Sequence, residues 1–298
     1  MAEGFTLIEL MIGLALGSMA LALTLKTLAQ GRAAWQTAEN LAALDERAAF
    51  ALTALERDVL LAGYWVAHAD ASRLRVAASV SIHCQGRDVT TASLASTNVH
   101  ASNGLFDLPC PAASGAVAGS DTLTVRHAEA ATTSPEAGRV QLCTSAVDGD
   151  IFQDGLRPVA CGDEQQVHNV QVHSWYVNKS SSEQGLPALY RYTLVSGGLL
   201  QNQEIMPGVE NLQVTLGVDR DADGMIDGFI DPGTAPDAHI LAVRLWILLR
   251  TAQPEPAHID NGPWYSIDTA TTAPLRPHDH YRRTTAERII WLRNSAEG

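Results

Sequence analysis

The sequence predicts an α+β protein in which one long N-terminal helix packs on an antiparallel β-sheet. An apolar run that continues into a stretch of helical periodicity indicates the helix. After Gly63, short segments rich in β-branched and aromatic residues alternate with turn-forming residues, which indicates strands. A helix followed by a run of strands is typical of the α+β class. With 298 residues, 46% of them hydrophobic, the chain is long enough for one large domain or two small ones.

The N-terminal run from Phe5 to Leu25 contains apolar, small and hydroxylated residues with one exception, Glu9. As a helix, its roughly 21 residues span about 30 Å, the thickness of a bilayer's hydrocarbon core. A carboxylate inside such a segment is costly and usually functional. The alternative is an acid at the helix end that reaches the membrane interface. A secretory signal peptide is not indicated, because no basic region precedes the run and no cleavage site follows it.

The helical pattern continues beyond the membrane segment, with apolar residues at spacings of three and four between Trp35 and Val59. We predict an amphipathic helix with one face on a core and a stop at Gly63. One helix from about Phe5 to Ala62 is the simplest interpretation. Two helices separated at Gln30-Gly31 are the alternative.

The remainder is predicted to form strands joined by surface loops, among them Ala112–Ser120 and Ala128–Gly138. The most apolar segment, Ile240–Thr251, is interpreted as a central strand because it is too short to cross a membrane as a helix. The predicted strands are Leu74–Val80, Thr122–His127, Val140–Cys143, Val167–Val177, Ala188–Val195, Val209–Val218, Ile240–Thr251 and Arg282–Arg293.

The four cysteines are widely spaced and contain no CxxC pair, which is typical of disulfides in an oxidising compartment. Three pairings are possible, and we favour the nearest neighbours, Cys84–Cys110 and Cys143–Cys161. Each would close a loop of about 20–30 residues and stabilise the fold by about 3 kcal/mol. Four buried thiols are the alternative.

Charge and motif content argue against two classes of function. The formal net charge of −13 lacks the basic footprint of a nucleic-acid-binding protein. No HExxH, GxSxG, Walker A or GxGxxG motif is present, so we expect no enzymatic activity. The pair Arg282-Arg283 is interpreted as solvent-exposed, with contact to DNA phosphates as the less favoured alternative.

The segment DRDADGMIDGFID has the order of oxygen ligands of a calcium-binding loop. Alternate carboxylates in a tight loop face one centre, a glycine permits the sharp turn, and hard oxygen ligands select calcium. Ile230 occupies the position of the final acidic ligand of an EF-hand, and the flanks resemble strands, so we predict a weak site in a β context. A solvated acidic turn is the alternative. The predicted ligands are Asp219, Asp221, Asp223, the Met225 carbonyl, Asp227 and Asp231.

The stretch GFTLIEL, Gly4–Leu10, closely resembles the type IV prepilin signature. The resemblance implies cleavage by a prepilin peptidase after Gly4 and N-methylation of Phe5. It further implies that Glu9 faces the N-terminal amine during filament assembly and sets the register of neighbouring helices. Prepilin leaders usually carry basic residues, which this one lacks. We therefore expect either an upstream translation start or a trimmed sequence.

Three further stretches resemble the PilW-type minor pilins: MPGVENLQVTLGVDRDADG, AVRLWILLRT and HYRRTTAERIIWLRN. In the first, Leu216 stands where the family has Tyr. The resemblance implies a low-abundance subunit that primes pilus assembly and sits at the tip. The implied partners are other minor pilins, the major pilin, a tip adhesin and the inner-membrane assembly platform. The pilus would serve twitching, adhesion or DNA uptake.

The resemblance also implies a domain organisation and a location. The expected parts are a leader remnant (1–4), a transmembrane and fibre-core helix (5–26), an amphipathic stem (27–62) and a β-rich head (63–298). The chain would lie in the inner membrane with its head in the periplasm and later in the fibre. The alternatives are a minor pseudopilin of a type II secretion system and a membrane-anchored periplasmic enzyme or binding protein.

Overall fold

The computed structural model describes residues 6–66, 73–89, 97–144, 148–162, 165–234, 239–264 and 275–294. The chain divides into two compact units, Met1–Asp45 and Glu46–Gly298. The described residues of the first unit are almost entirely helical. The second unit contains the end of the same helix and every strand of the described chain.

Helix α1 (Leu7–Leu61) is 55 residues long and uninterrupted, so one helix rather than two is the correct interpretation. It ends at Leu61, just before the predicted stop at Gly63. Gly63 has φ +73°, and a Cβ there would lie 2.5 Å from Asn98 Nδ2 and 2.8 Å from the Asn294 carbonyl oxygen. Only glycine fits both the left-handed backbone and the close approach of these neighbours.

The strands form two sheets. The larger has ten strands, with the main order β1-β7-β6-β8-β9-β10-β2-β3 and with β5 joining β4 to β8. The smaller has four, in the order β12-β11-β13-β14. The strands are β1 (Leu74–Val76), β2 (Ile82–Cys84), β3 (Arg87–Val89), β4 (Val99–Ser102), β5 (Thr122–Thr133), β6 (Ala137–Thr144), β7 (Gly149–Asp154), β8 (Val167–Asn178), β9 (Ala188–Val195), β10 (Leu199–Pro207), β11 (Val209–Asp219), β12 (Gly228–Ile230), β13 (His239–Arg250) and β14 (Arg283–Trp291).

All pairs of named strands are antiparallel except β1–β7 and β10–β2, which are parallel. The predicted α+β class is therefore confirmed, with two sheets instead of one. Most of Ala128–Gly138 belongs to β5 and β6, so its interpretation as a loop was wrong. Its small residues lie mostly on exposed parts of these two strands and of the turn between them, where composition resembles that of a loop.

The two sheets are joined at the start of β5. The Asp121 N–H donates to the Leu212 carbonyl (2.9 Å), and the Asp121 carboxylate accepts from Val214 N–H (2.7 Å). The second unit's part of α1 buries Ala51, Leu55 and Val59 completely. This apolar face fixes the end of the helix in the core of the head.

Candidate functional site

The start of α1 forms a capping box. The Thr6 N–H and hydroxyl donate to Glu9 Oε2 at 3.0 Å and 2.8 Å, and the Glu9 N–H lies 3.3 Å from Thr6 Oγ1. This reciprocal pattern satisfies two backbone donors that would otherwise lack partners at a helix start. The pattern T-x-x-E, from Thr6 to Glu9, is the sequence signal of a capping box and could have predicted this cap. Gly4 and Phe5 lie outside the described residues.

The part of α1 in the first unit exposes its apolar side chains. One 18-residue window has a mean hydropathy of 2.0 and is 0% buried, so the helix is long and apolar enough to cross a membrane. The exposed residues are Leu7, Ile8, Leu10, Met11, Ile12, Leu14, Leu16, Met19, Leu21, Leu23, Leu25 and Leu28. A continuous apolar surface of this kind requires lipid or other protein around it.

The last turns of α1 are attached to both sheets by buried or half-buried ion pairs. Asp58 is 4% exposed, and its Oδ2 accepts from Trp175 Nε1 at 2.9 Å. The same oxygen lies 2.8 Å from His173 Nδ1 and 3.6 Å from Arg191 Nη1. Glu56 pairs with Arg288 of β14. The helical pattern does not mark Asp58 as buried, because the pattern alone does not reveal a partner on a distant strand.

The acidic loop joins β11 to β12, so its flanks are strands as predicted. Asp219 is 3% exposed, and its carboxylate accepts from the N–H groups of Ala222 (2.7 Å) and Gly224 (2.8 Å). Gly224 has φ +80°, which is the sharp turn that the spacing requires. Carboxylate oxygens of Asp219, Asp221 and Asp227 lie within 4.8 Å of one another.

The other predicted ligands lie outside this group. Asp223 accepts from the Met225 N–H (2.8 Å), the Met225 side chain is 67% exposed, and Asp231 is buried. Repulsion from Asp223, then desolvation and the Asp227 charge, raises the pKa of Asp221. For Asp219, desolvation acts to raise the pKa. Hydrogen bonds from backbone N–H groups, of which the one from Gly224 is the strongest, outweigh desolvation and lower the pKa. A hard divalent cation would be coordinated by the three clustered carboxylate oxygens and would relieve the repulsion between these carboxylates.

The disulfides join Cys84 to Cys110 and Cys143 to Cys161, the pairing favoured from the sequence, with Cα–Cα distances of 5.7 Å and 6.1 Å. The first lies in the main core cluster with Trp65 and Tyr176.

The interpretation of Arg282-Arg283 as an exposed pair was wrong. The Arg283 side chain is 3% exposed and contacts Glu210 (2.6 Å), Asp260 (3.0 Å) and Asp279 (2.8 Å). Arg282 pairs with Glu255 at 2.7 Å. The Arg283 guanidinium therefore joins the start of β14 to Glu210 of β11 and to the loop carboxylates, and both guanidinium groups are already occupied by carboxylates.

A long N-terminal helix, exposed and apolar at its start, that ends against mostly antiparallel sheets defines a type IV pilin-like α+β protein. Residues 174–294 match the family model of the Type IV Pilus-assembly protein W, PilW. This part of the chain is therefore similar to PilW-type proteins, which supports the PilW-type pilin resemblance found in the sequence.

Two further comparisons add little. A type IV-like pilin from Thermus thermophilus shares 13% sequence identity and a TM-score of 0.39, over 85% of this chain and 98% of that chain. A TM-score this low carries no argument by itself. No curated protein sequence matches the chain.

Proposed function

We propose that this chain is a minor pilin of a type IV pilus that helps to prime assembly and sits at the pilus tip, beside other minor pilins and an adhesin. One observation carries the proposal: a PilW-type head continues from a helix with an exposed apolar surface and the GFTLIEL start. This combination suits a subunit that is stored in a membrane and then packed into a fibre. It requires no chemistry on a substrate.

The proposed mechanism is an exchange of apolar environments. Before assembly, the exposed apolar surface of α1 lies in the inner membrane and the head in the periplasm, where an oxidising compartment suits both disulfides. Prepilin peptidase removes the leader after Gly4. The assembly platform then moves the helix among those of neighbouring pilins, and lipid contacts are replaced by protein contacts. Glu9 pairs with the methylated amine of Phe5 and sets the axial register.

Deletion of the gene in its host, followed by complementation with the full chain, tests this proposal. We expect deletion to lower the amount of sheared surface pili and complementation to restore it. Normal piliation with blocked protein secretion would instead favour a type II secretion pseudopilin. N-terminal sequencing of the mature protein should give N-methylated Phe5, whereas an intact Met1 would contradict the assignment to this pathway.

We also propose that the acidic loop binds Ca²⁺ through Asp219, Asp221 and Asp227. Their clustered oxygens and the raised pKa of Asp221 support it. Asp223, Met225 and Asp231 complete the proposed set only if the loop adjusts around the ion. With so few fixed ligands we expect an affinity typical of extracellular modules, about 10⁻⁴–10⁻³ M.

Thermal unfolding of the EDTA-treated chain with and without added calcium tests the metal site. Calcium at about 100 times its Kd should stabilise the fold by about 2.7 kcal/mol. Asp219→Asn should remove this response, and Asp88→Asn, an exposed acid on β3, should retain it. An equal response of both variants, or an equal effect of magnesium, would contradict a specific calcium site.

A further inference from the structure

The C-terminal strand β14 is an unusually long edge strand for this protein. It has nine residues and forms one edge of the smaller sheet. In the described part of the chain, the other edge strands, β1, β3, β4 and β12, have only three or four residues. Natural proteins keep exposed edges short because a row of unpaired backbone groups is a template for another strand. Strand β14 departs from that rule.

The register shows which backbone groups of β14 face outward. Leu292 N–H donates to the Leu241 carbonyl, and Thr251 N–H donates to the Arg282 carbonyl. Both bonds fall in the β13–β14 register, which has no bulge, so the even-numbered residues face β13. Hydrogen-bonded and non-hydrogen-bonded positions alternate in an antiparallel pair. The N–H and C=O groups of Thr285, Glu287, Ile289 and Trp291 therefore point to the open edge.

No hydrogen bond from elsewhere in the described chain reaches these outward backbone groups. The side chains of the same residues lie on the exposed face of the sheet. Ile289 and Trp291 are 47% and 54% exposed, and Glu287 is held by Arg244 at 2.6 Å. The edge therefore combines unpaired backbone groups with an aliphatic and an aromatic side chain next to each other. Exposed aromatic residues are characteristic of interface centres.

We propose that β14 accepts an extended segment of a different pilus subunit, which extends the smaller sheet by one strand. Only an extended polypeptide presents donors and acceptors at the spacing that this edge requires, so the edge chemistry defines the partner. The segment carries apolar residues at alternate positions, where they pack against Ile289 and Trp291. A second copy of this chain is disfavoured because each copy carries a net charge of −13. The inference rests on the proposed function, since it takes the partner from the pilus.

Hydrogen exchange at single-residue resolution tests the pairing without any substitution. The full-length chain is compared in detergent alone and in the pilus complex isolated from its host. We expect the amides of Thr285, Glu287, Ile289 and Trp291 to exchange at least about tenfold more slowly in the complex. The amides of Arg288 and Ile290, already bonded to β13, should change little. Equal exchange of the outward amides in both states would overturn the proposal.

Photocrosslinking in the piliated host identifies the strand that is added. A photoreactive residue at position 287 should join the chain to a second pilus subunit at a segment of alternating apolar residues. Ile289→Pro removes one outward N–H without touching the β13 ladder and should lower this yield about tenfold, whereas Ile289→Ala, which retains the N–H, should lower it less. If Ile289→Pro does not fold, the hydrogen-exchange experiment, which needs no substitution, still tests whether a strand is added to β14.

The remaining outcomes of the crosslinking experiment contradict the proposal. An adduct between two copies, a crosslink within the chain, or no adduct in a piliated cell would each overturn strand addition at this edge. In those cases complementation of piliation would still support the pilin function. A failure of the proposed pilin function would be seen in a different experiment, as normal piliation in the deletion strain.

Discussion

Glu9→Gln separates two roles that the side chain of Glu9 can have at the start of α1. In the isolated chain the carboxylate is half of a capping box with Thr6. In the proposed fibre it pairs with the cationic amine of Phe5. Glutamine retains an oxygen that accepts from the Thr6 N–H, because Gln also serves at this position of a capping box. It removes the negative charge, so the substitution spares the cap and abolishes the ion pair.

The two roles differ in magnitude. Loss of a helix cap costs about 1 kcal/mol, which is about a fivefold change in an equilibrium. Removal of one partner of an ion pair in a low-dielectric helix bundle costs about 3–5 kcal/mol, because the other charge is left buried and unpaired. That is more than a hundredfold change. A pure capping role therefore predicts a small effect for Glu9→Ala and almost none for Glu9→Gln, whereas ion pairing predicts a large effect for both.

The assay is complementation of a deletion strain with the full chain carrying Glu9→Gln, Glu9→Ala or Thr6→Ala. Sheared surface pili are quantified, and immunoblots confirm equal membrane levels and leader cleavage. We expect both Glu9 variants to lose most piliation and Thr6→Ala, which disturbs only the cap, to retain most of it. Wild-type piliation with Glu9→Gln would refute the ion-pair reasoning and leave Glu9 with a local role at the helix end.

Three further predictions concern the head. Asp58→Ala should lower the free energy of unfolding in denaturant by about 3 kcal/mol, because it leaves Trp175 without its buried acceptor and Arg191 without its counter-charge. Gly63→Ala should destabilise the head by more than about 1 kcal/mol, since its Cβ would meet neighbours at less than 3 Å in a left-handed backbone. The hydrogen bond from His100 outweighs desolvation and lowers the pKa of Asp107 to about 2, so its stabilisation should be complete above about pH 4 and be lost between about pH 4 and pH 2.

Matched controls isolate these effects. Glu46→Ala, an exposed acid on the same helix as Asp58, should change stability little. An equal loss in both helix variants would contradict the buried contact of Asp58. For the acid transition, Asp107→Asn should flatten the dependence of stability on pH between 4 and 2. An unchanged profile in that variant would show that other carboxylates govern the transition.

The long elements were predictable because they carry a strong local signal. The helix was predicted as Phe5–Ala62 and is observed as Leu7–Leu61, and Ala188–Val195 has the predicted bounds. Six strands of the described chain were missed. Four of them, β2, β3, β4 and β12, have only three or four residues, too few to show a period of two. Strand β7 has two apolar residues side by side between polar ones, so it shows no alternation. Strand β10 has a run of four polar residues at its centre, Gln201–Glu204, and none of its residues except Leu200 is buried, so no apolar alternation marks it.

The sequence by itself determined the helical stem, the strand-rich head, the start that resembles a prepilin and the order of carboxylates in the acidic loop, because each depends on residues close together in the chain. Only the tertiary structure decided that Asp58 and Arg283 are buried, that the sheet is divided in two, and that β14 has an open edge. Those features depend on contacts between residues far apart in sequence, and composition at either position does not specify its partner. A charged side chain can be buried only where such a partner is present. The same residue type is therefore solvated at one position and buried in an ion pair at another.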